Sequence, residues 1–137
     1  MDEKNGKVCI YACFGGFSNT GITTAIASME AIKEVGLDKA CIGCLGGLPT
    51  DAKLVYANID RAEKIITVDG CPMECSKKIV EQAGYKIDKN IVLARDVGMK
   101  KKSLYEGVEG LNNLTDHVED KDAKKAKELI VKAILEE

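Results

Sequence analysis

Asp69-Gly70-Cys71-Pro72-Met73-Glu74-Cys75 brings two thiols to the junction between a strand-like run, Ile65-Ile66-Thr67-Val68, and a helix-like run. Proline at a first helical position loses no useful donor, so Cys71 reads as the N-cap and Cys75 as its neighbour one turn on. Two sulfurs at a helix N-terminus can ligate a metal or supply a reactive thiolate. Cys41 and Cys44 form a Cys-x-x-Cys, a spacing that fits zinc or a dithiol couple but arises often by chance. Cys13 closes the first apolar run. Cys9 lies inside that run among Val8, Ile10 and Tyr11, where a thiol behaves as a small buried hydrophobe. The one histidine, His117, sits in the polar stretch Thr115-Asp116-His117, far along the chain from every cysteine. Cys–His nucleophilic catalysis therefore lacks a base, a His-rich metal site is excluded, and an all-thiolate centre remains.

These thiols share a site only if the fold gathers them. Strand-like and helix-like patterns alternate from Lys7 onward, the mark of parallel βαβ units in an α/β domain. The first strand spans Val8 to Ala12, and Ile22, Ile26, Met29 and Ile32 announce a helix that ends at Gly36. A second strand covers Lys39 to Ile42, and Pro49-Thr50-Asp51 signals a helix running to about Ile59. The third strand is Lys64 to Val68, the third helix Pro72 to about Ala83, and the fourth strand Asn90 to Ala94. Leu104, Val108, Leu111, Leu114 and Val118 keep helical spacing despite Gly107 and Gly110. Ala123, Ala126, Leu129, Ile130, Ala133 and Ile134 make the apolar stripe of a terminal helix that docks on the sheet. The expected fold is a small Rossmann-like three-layer domain with a four-stranded parallel sheet, order 2-1-3-4. In such a sheet all C-terminal strand ends share one edge, where ligands bind. Cys13, Cys41, Cys44, Cys71 and Cys75 all map to that edge, with neighbouring strands about 4.8 Å apart. They form either one shared site or a set of unrelated core thiols.

A chain of 137 residues with 45% hydrophobic residues builds one core, so residues 1–137 are expected to form one domain. The net charge of −2 and the absence of a basic patch interleaved with aromatics give no footprint for nucleic acid. The charged start, Met1-Asp2-Glu3-Lys4-Asn5-Gly6-Lys7, precedes only a short apolar run and reads as neither signal peptide nor membrane anchor. A cytoplasmic location without membrane association is expected, and in that reducing setting cysteines serve as thiols or ligands more readily than as a disulfide framework.

Polar residues near the same edge have two readings each. Asp69 either orients a ligand or bonds its own turn. Glu74 is an acid–base group or a carboxylate that complements a helix dipole. Gly15-Gly16, Ser18, Asn19, Thr20 and Gly21 precede the first helix, so N–H groups there would hold a small anionic ligand, although an ordinary capped helix accounts for the same residues. There is no Gly-Lys-Ser/Thr ending and no spaced Gly-x-Gly-x-x-Gly, so this is no P-loop. Lys100-Lys101-Lys102 would offset a four-thiolate zinc centre or form a solvated face.

Val68-Asp69-Gly70-Cys71-Pro72, followed by Cys75, resembles the DGC family, named for its Asp-Gly-Cys motif and expected to bind zinc. Cys13-Phe14-Gly15-Gly16 resembles the family's first-strand cysteine turn, Cys41 its second cysteine, and Leu93 to Gly98 with Lys100 its fourth-strand segment. The likeness covers about Lys7 to Lys102 and leaves 103–137 as a helical C-terminal extension. It implies four chelating cysteines, Cys13, Cys41, Cys71 and Cys75; Cys44, a thiol that the family pattern does not require, stands as an alternative to Cys41. It assigns no biochemical activity. Two other chemistries use the same thiols. A thiol–disulfide redox protein would pair Cys71 with Cys75 or with the Cys41/Cys44 pair and need no metal, and an iron–sulfur cluster would take the same four thiolates.

Overall fold

The computed structural model describes residues 3–15 and 17–136; Gly16 of the expected anion loop lies outside them. Strands β1 (Val8–Cys13), β2 (Ala40–Ile42), β3 (Lys64–Asp69) and β4 (Lys89–Val92) form one parallel sheet in the order β2-β1-β3-β4. Helices α1 (Asn19–Val35), α2 (Lys53–Asp60), α3 (Cys75–Gln82), α4 (Leu93–Asp96) and α5 (Asp120–Leu135) connect and cover it. Side chains alternate between faces along each strand. Val8, Ile10, Ile66, Val68 and Ile91 therefore pack toward α1 and α5, while Cys9, Tyr11 and Ile65 pack toward Ile59 of α2 and Val80 of α3. Two apolar clusters on opposite faces make the three layers that the alternating pattern predicts.

The terminal helix docks as its stripe requires, burying Ala126, Ile130, Ala133 and Ile134. Of the four residues that announce its neighbour α1, only Ile32 is buried. Met29 is 56% exposed, whereas Thr20, Thr23, Thr24, Ala27, Ser28 and Ala31 face inward. Held against both the sheet and α5, α1 presents short side chains that permit close approach. Thr23 and Thr24 donate their hydroxyls to the carbonyls of Asn19 and Thr20 at 2.8 and 2.9 Å, so their burial leaves no unpaired oxygen.

Several boundaries move from their expected places. Asp51 has a φ of 58°, which breaks the turn after Pro49 from the helix, and α2 starts at Lys53. Glu74 lies in the left-handed region at φ 53°, so Cys71, Pro72 and Met73 form a turn, closed from Glu74 N to Cys71 O at 3.3 Å, and α3 starts at Cys75. Cys71 is thus not an N-cap, nor Pro72 a first helical residue. Strand β4 stops at Val92, because the Asp96 carboxylate accepts from Val92 N at 2.9 Å and winds Leu93–Asp96 into a helical turn. The spacing from Leu104 to Val118 yields only a 3-10 turn at Leu114–His117. Gly107 and Gly110 both adopt positive φ, 71° and 84°, which no right-handed helix accommodates.

Candidate metal centre

Cys13, the last residue of β1, stands in register with Asp69, the last residue of β3. Beyond this pair Cys13, Cys71 and Cys75 line one cavity with Gly15, Ser18, Thr20, Gly21, Asp69 and Gly70. Its volume is about 10 Å³, at the lower end of the roughly 10–15 Å³ that one water-sized particle needs. Two glycines make the cavity this small. A Cβ on Gly70 would stand 2.6 Å from the Thr20 carbonyl carbon, and one on Gly21 would stand 2.5 Å from the Phe14 oxygen. The β1–α1 loop, the start of α1 and the β3–α3 loop thus meet backbone to backbone, which only residues without a Cβ permit.

Asp69 sets the position of Cys75 from a distance. Its side chain is buried, 1% exposed, and its two carboxylate oxygens accept from the backbone N–H of Ser76 at 2.8 Å and Lys77 at 3.2 Å. Those are first-turn donors of α3 that need an acceptor, and the N-cap residue Glu74 supplies no side-chain bond. Ser76 adds a hydroxyl bond to Val68 O at 3.2 Å. Strand β3 thus holds the first turn of α3, with Cys75 at its head. Of the two roles read for Asp69, the self-bonded turn gives way to a cap supplied across the loop that fixes the start of α3 at Cys75. Glu74 lies partly exposed between Lys77 at 3.9 Å and Arg95 at 3.8 Å.

At the other wall, Ser18 caps α1, its hydroxyl accepting from Gly21 N at 3.1 Å and sharing a hydrogen bond with Thr20 Oγ1 at 3.3 Å. The segment after α4 straps this end. Asn19 Nδ2 donates to Lys100 O at 3.0 Å, Lys102 N donates to Asn19 Oδ1 at 2.6 Å, and Leu104 N donates to Phe17 O at 2.9 Å. The side chains of Lys100, Lys101 and Lys102 are exposed. Burial raises the Cys13 thiol above its ordinary pKa, opposed by a backbone hydrogen bond from Gly15 and reinforced by Cys75, Asp69 and Cys71. Gathered thiols and a carboxylate disfavour further negative charge, the condition that a bound cation reverses.

The DGC domain family model matches residues 9–131. The chain belongs to the DGC-domain family. The match runs past Lys102 through most of α5, the helix that completes the layer beside α1. No curated protein and no solved structure matches the chain.

Of the four cysteines that the DGC likeness implies, the structure brings together Cys13, Cys71 and Cys75. Cys41 stands opposite Cys9, four residues back from Cys13 along β1, about 13 Å at roughly 3.3 Å per residue. The reason is stagger: β2 ends at Ile42, level with Ile10, while β1 continues to Cys13. Cys44 is exposed on the loop that follows. Among the described residues no group of three or more His, Cys, Asp or Glu side chains is arranged to hold a metal ion. The three thiols of this DGC domain share a cavity without converging on one point. His117 lines a separate cavity with Phe17, Leu104 and Leu111. Cys9, read as a plain core thiol, hydrogen-bonds Cys41 across the strands, sulfur to sulfur at 3.8 Å. That bond pushes the Cys9 thiol well up and lowers Cys41 to about 7, against the opposing effect of burial at Cys41 and with help from Lys7. A strand register one residue different would have sent the two thiols to opposite faces, so no sequence signal short of the register identifies the pair.

Proposed function

We propose that this DGC domain binds zinc through Cys13, Cys71 and Cys75, with the fourth coordination position left to a non-protein ligand. One observation carries the reading: three thiols from two neighbouring strand ends line a single cavity of about 10 Å³. Zinc takes thiolate sulfur at about 2.3 Å in a tetrahedron, so binding requires the three side chains to turn toward one point within the cavity they line. Cys41 is left out by its register. The donors suit the ion, and a bound cation would offset the burial and neighbouring groups that raise the Cys13 thiol. A three-thiolate shell with an open position supplies Lewis acidity, where a closed four-cysteine shell would be structural. A small anionic ligand reaching that position would meet the hydroxyls of Ser18 and Thr20.

Elemental analysis of the purified protein tests this. One zinc per chain is expected, lost in Cys13→Ser, Cys71→Ser and Cys75→Ser and retained in Cys41→Ser and Cys44→Ser. Loss in Cys44→Ser as well would restore a four-cysteine shell through the β2 loop. Brown protein from purification without oxygen would assign an iron–sulfur cluster instead. Absence of stoichiometric metal, with folding indifferent to chelator, refutes the metal reading.

A further inference from the structure

Cys9 and Cys41 stand apart from the candidate metal centre, and three features give them a chemistry of their own. The parallel register places them side by side on the face covered by α2 and α3, with their sulfurs 3.8 Å apart. Neighbouring strands hold Cα atoms about 4.8 Å apart, inside the 4.4–6.8 Å that disulfides span, so a bond of about 2.05 Å needs mainly side-chain movement. Cys41 also opens onto a cavity of about 250 Å³ whose wall includes Lys7, Asn5 and Asn58. Finally, Tyr11, fully buried and two residues from Cys9 on the same strand face, has a hydroxyl with no hydrogen-bond partner among the described residues. Tyr11 and Cys9 pack in the same buried cluster beneath α2 and α3. An unpartnered buried hydroxyl beside two thiols is a donor held where sulfur gains negative charge.

We propose that Cys41 and Cys9 form a thiol–disulfide exchange couple, separate from Cys13, Cys71 and Cys75, that reacts with a low-molecular-weight disulfide entering through the cavity beside Lys7. Both thiols line the cavity, and Cys41 is the entry thiol because it is partly exposed whereas Cys9 is only 2% exposed. The Cys41 thiolate attacks one sulfur of the disulfide RSSR. A Cys41–S–S–R bond forms, the RS–SR bond breaks, and RS⁻ leaves and takes a proton from water. Cys9 then attacks the Cys41 sulfur. The Cys9–Cys41 disulfide forms, the second RS⁻ leaves with the proton that Cys9 gives up, and Tyr11 donates to the Cys9 sulfur as its charge develops. Two protein thiols are oxidised and one disulfide is reduced to two thiols, with no further reactant.

The test treats the protein with oxidised glutathione, blocks free thiols and maps the peptides, with and without prior removal of metal by chelator. The expected product in both arms is a disulfide linking the peptides of Cys9 and Cys41. Cys9→Ala should halt at a mixed disulfide on Cys41, and Cys41→Ala should leave Cys9 unmodified. A wild-type map in which Cys9 and Cys41 stay reduced while other cysteines oxidise overturns the proposal, even if a variant fails to fold. Because the linkage is read in metal-free protein, its outcome is independent of whether Cys13, Cys71 and Cys75 bind zinc.

Discussion

Asp69→Asn removes the charge from the carboxylate that holds α3 to β3 while preserving its shape. Asparagine keeps one oxygen for the Ser76 N–H, now at 2.8 Å, but turns an amide donor toward the Lys77 N–H at 3.2 Å. A hydrogen bond to a charged group contributes about 1.5–3 kcal/mol, and a buried donor left unpaired costs about 1–3 kcal/mol. Loss of the negative charge at the start of α3 adds up to about 1 kcal/mol. Because the Lys77 N–H is only part-buried, the lower half of these ranges applies and the expected destabilisation is about 2–4 kcal/mol. Glu74→Gln is the control. That carboxylate is next to the helix start but reaches only partly exposed cations at 3.8 and 3.9 Å, so its loss should cost less than about 1 kcal/mol. Urea unfolding of chelator-treated protein measures both without a contribution from bound metal. At an unchanged slope of about 2 kcal/mol per molar, Asp69→Asn should lower the midpoint by about 1–2 M. A shift under about 0.5 kcal/mol, or an equal cost for Glu74→Gln, would show that α3 is not held from β3 and that Asp69 does not seat Cys75.

Gly70→Ala should destabilise by about 1–3 kcal/mol and lower the melting temperature by roughly 5–10 °C, since its Cβ would meet Thr20 backbone at 2.6 Å; an unchanged melting temperature would mean that the loops do not touch. Cys41 is held down to about 7, so its alkylation rate should plateau above that pH and fall about tenfold per unit below it. In Cys9→Ala the inflection should move up toward the ordinary 9.0, and an inflection unmoved by that substitution would assign the shift elsewhere. Asn19→Ala removes two bonds that strap the segment bearing Lys100, Lys101 and Lys102, so native-state trypsin cleavage there should rise about 10–30-fold at roughly 1 kcal/mol per bond. Equal cleavage rates would show that the strap is held by other contacts.

The strand order was legible in the sequence because each strand reads as an apolar run followed by a helix. Parallel topology and right-handed crossovers then leave few arrangements. What failed to show were features decided by distant partners. The start of α3 depends on Asp69, five residues before Glu74, reaching across a turn, so Pro72 misplaced it. The buried face of α1 was hidden because, Ile32 apart, it is built of threonine, serine, alanine and glycine, while Met29 is left toward solvent. The spacing from Leu104 to Val118 failed for a local reason: Leu111 and Leu114 remain 44% and 48% exposed after Gly107 and Gly110 turn the chain.

The cysteines divide along the same physical line. Assigning each to a strand end is a matter of pattern, but sharing a ligand also requires the strands to end at the same level. Cys13 and Asp69 do so, being paired in register, and the loop after Asp69 carries Cys71 and Cys75 back over that end. Strand β2 has only three residues and stops level with Ile10, which leaves Cys41 within the sheet beside Cys9. A one-residue strand shift moves a side chain about 3.3 Å and reverses its face; zinc at about 2.3 Å from each sulfur tolerates neither change. A thiol one strand away is therefore not interchangeable with one at the edge. The stagger that removes Cys41 from the edge cavity is also what sets it against Cys9, giving the fold two thiol sites with different partners.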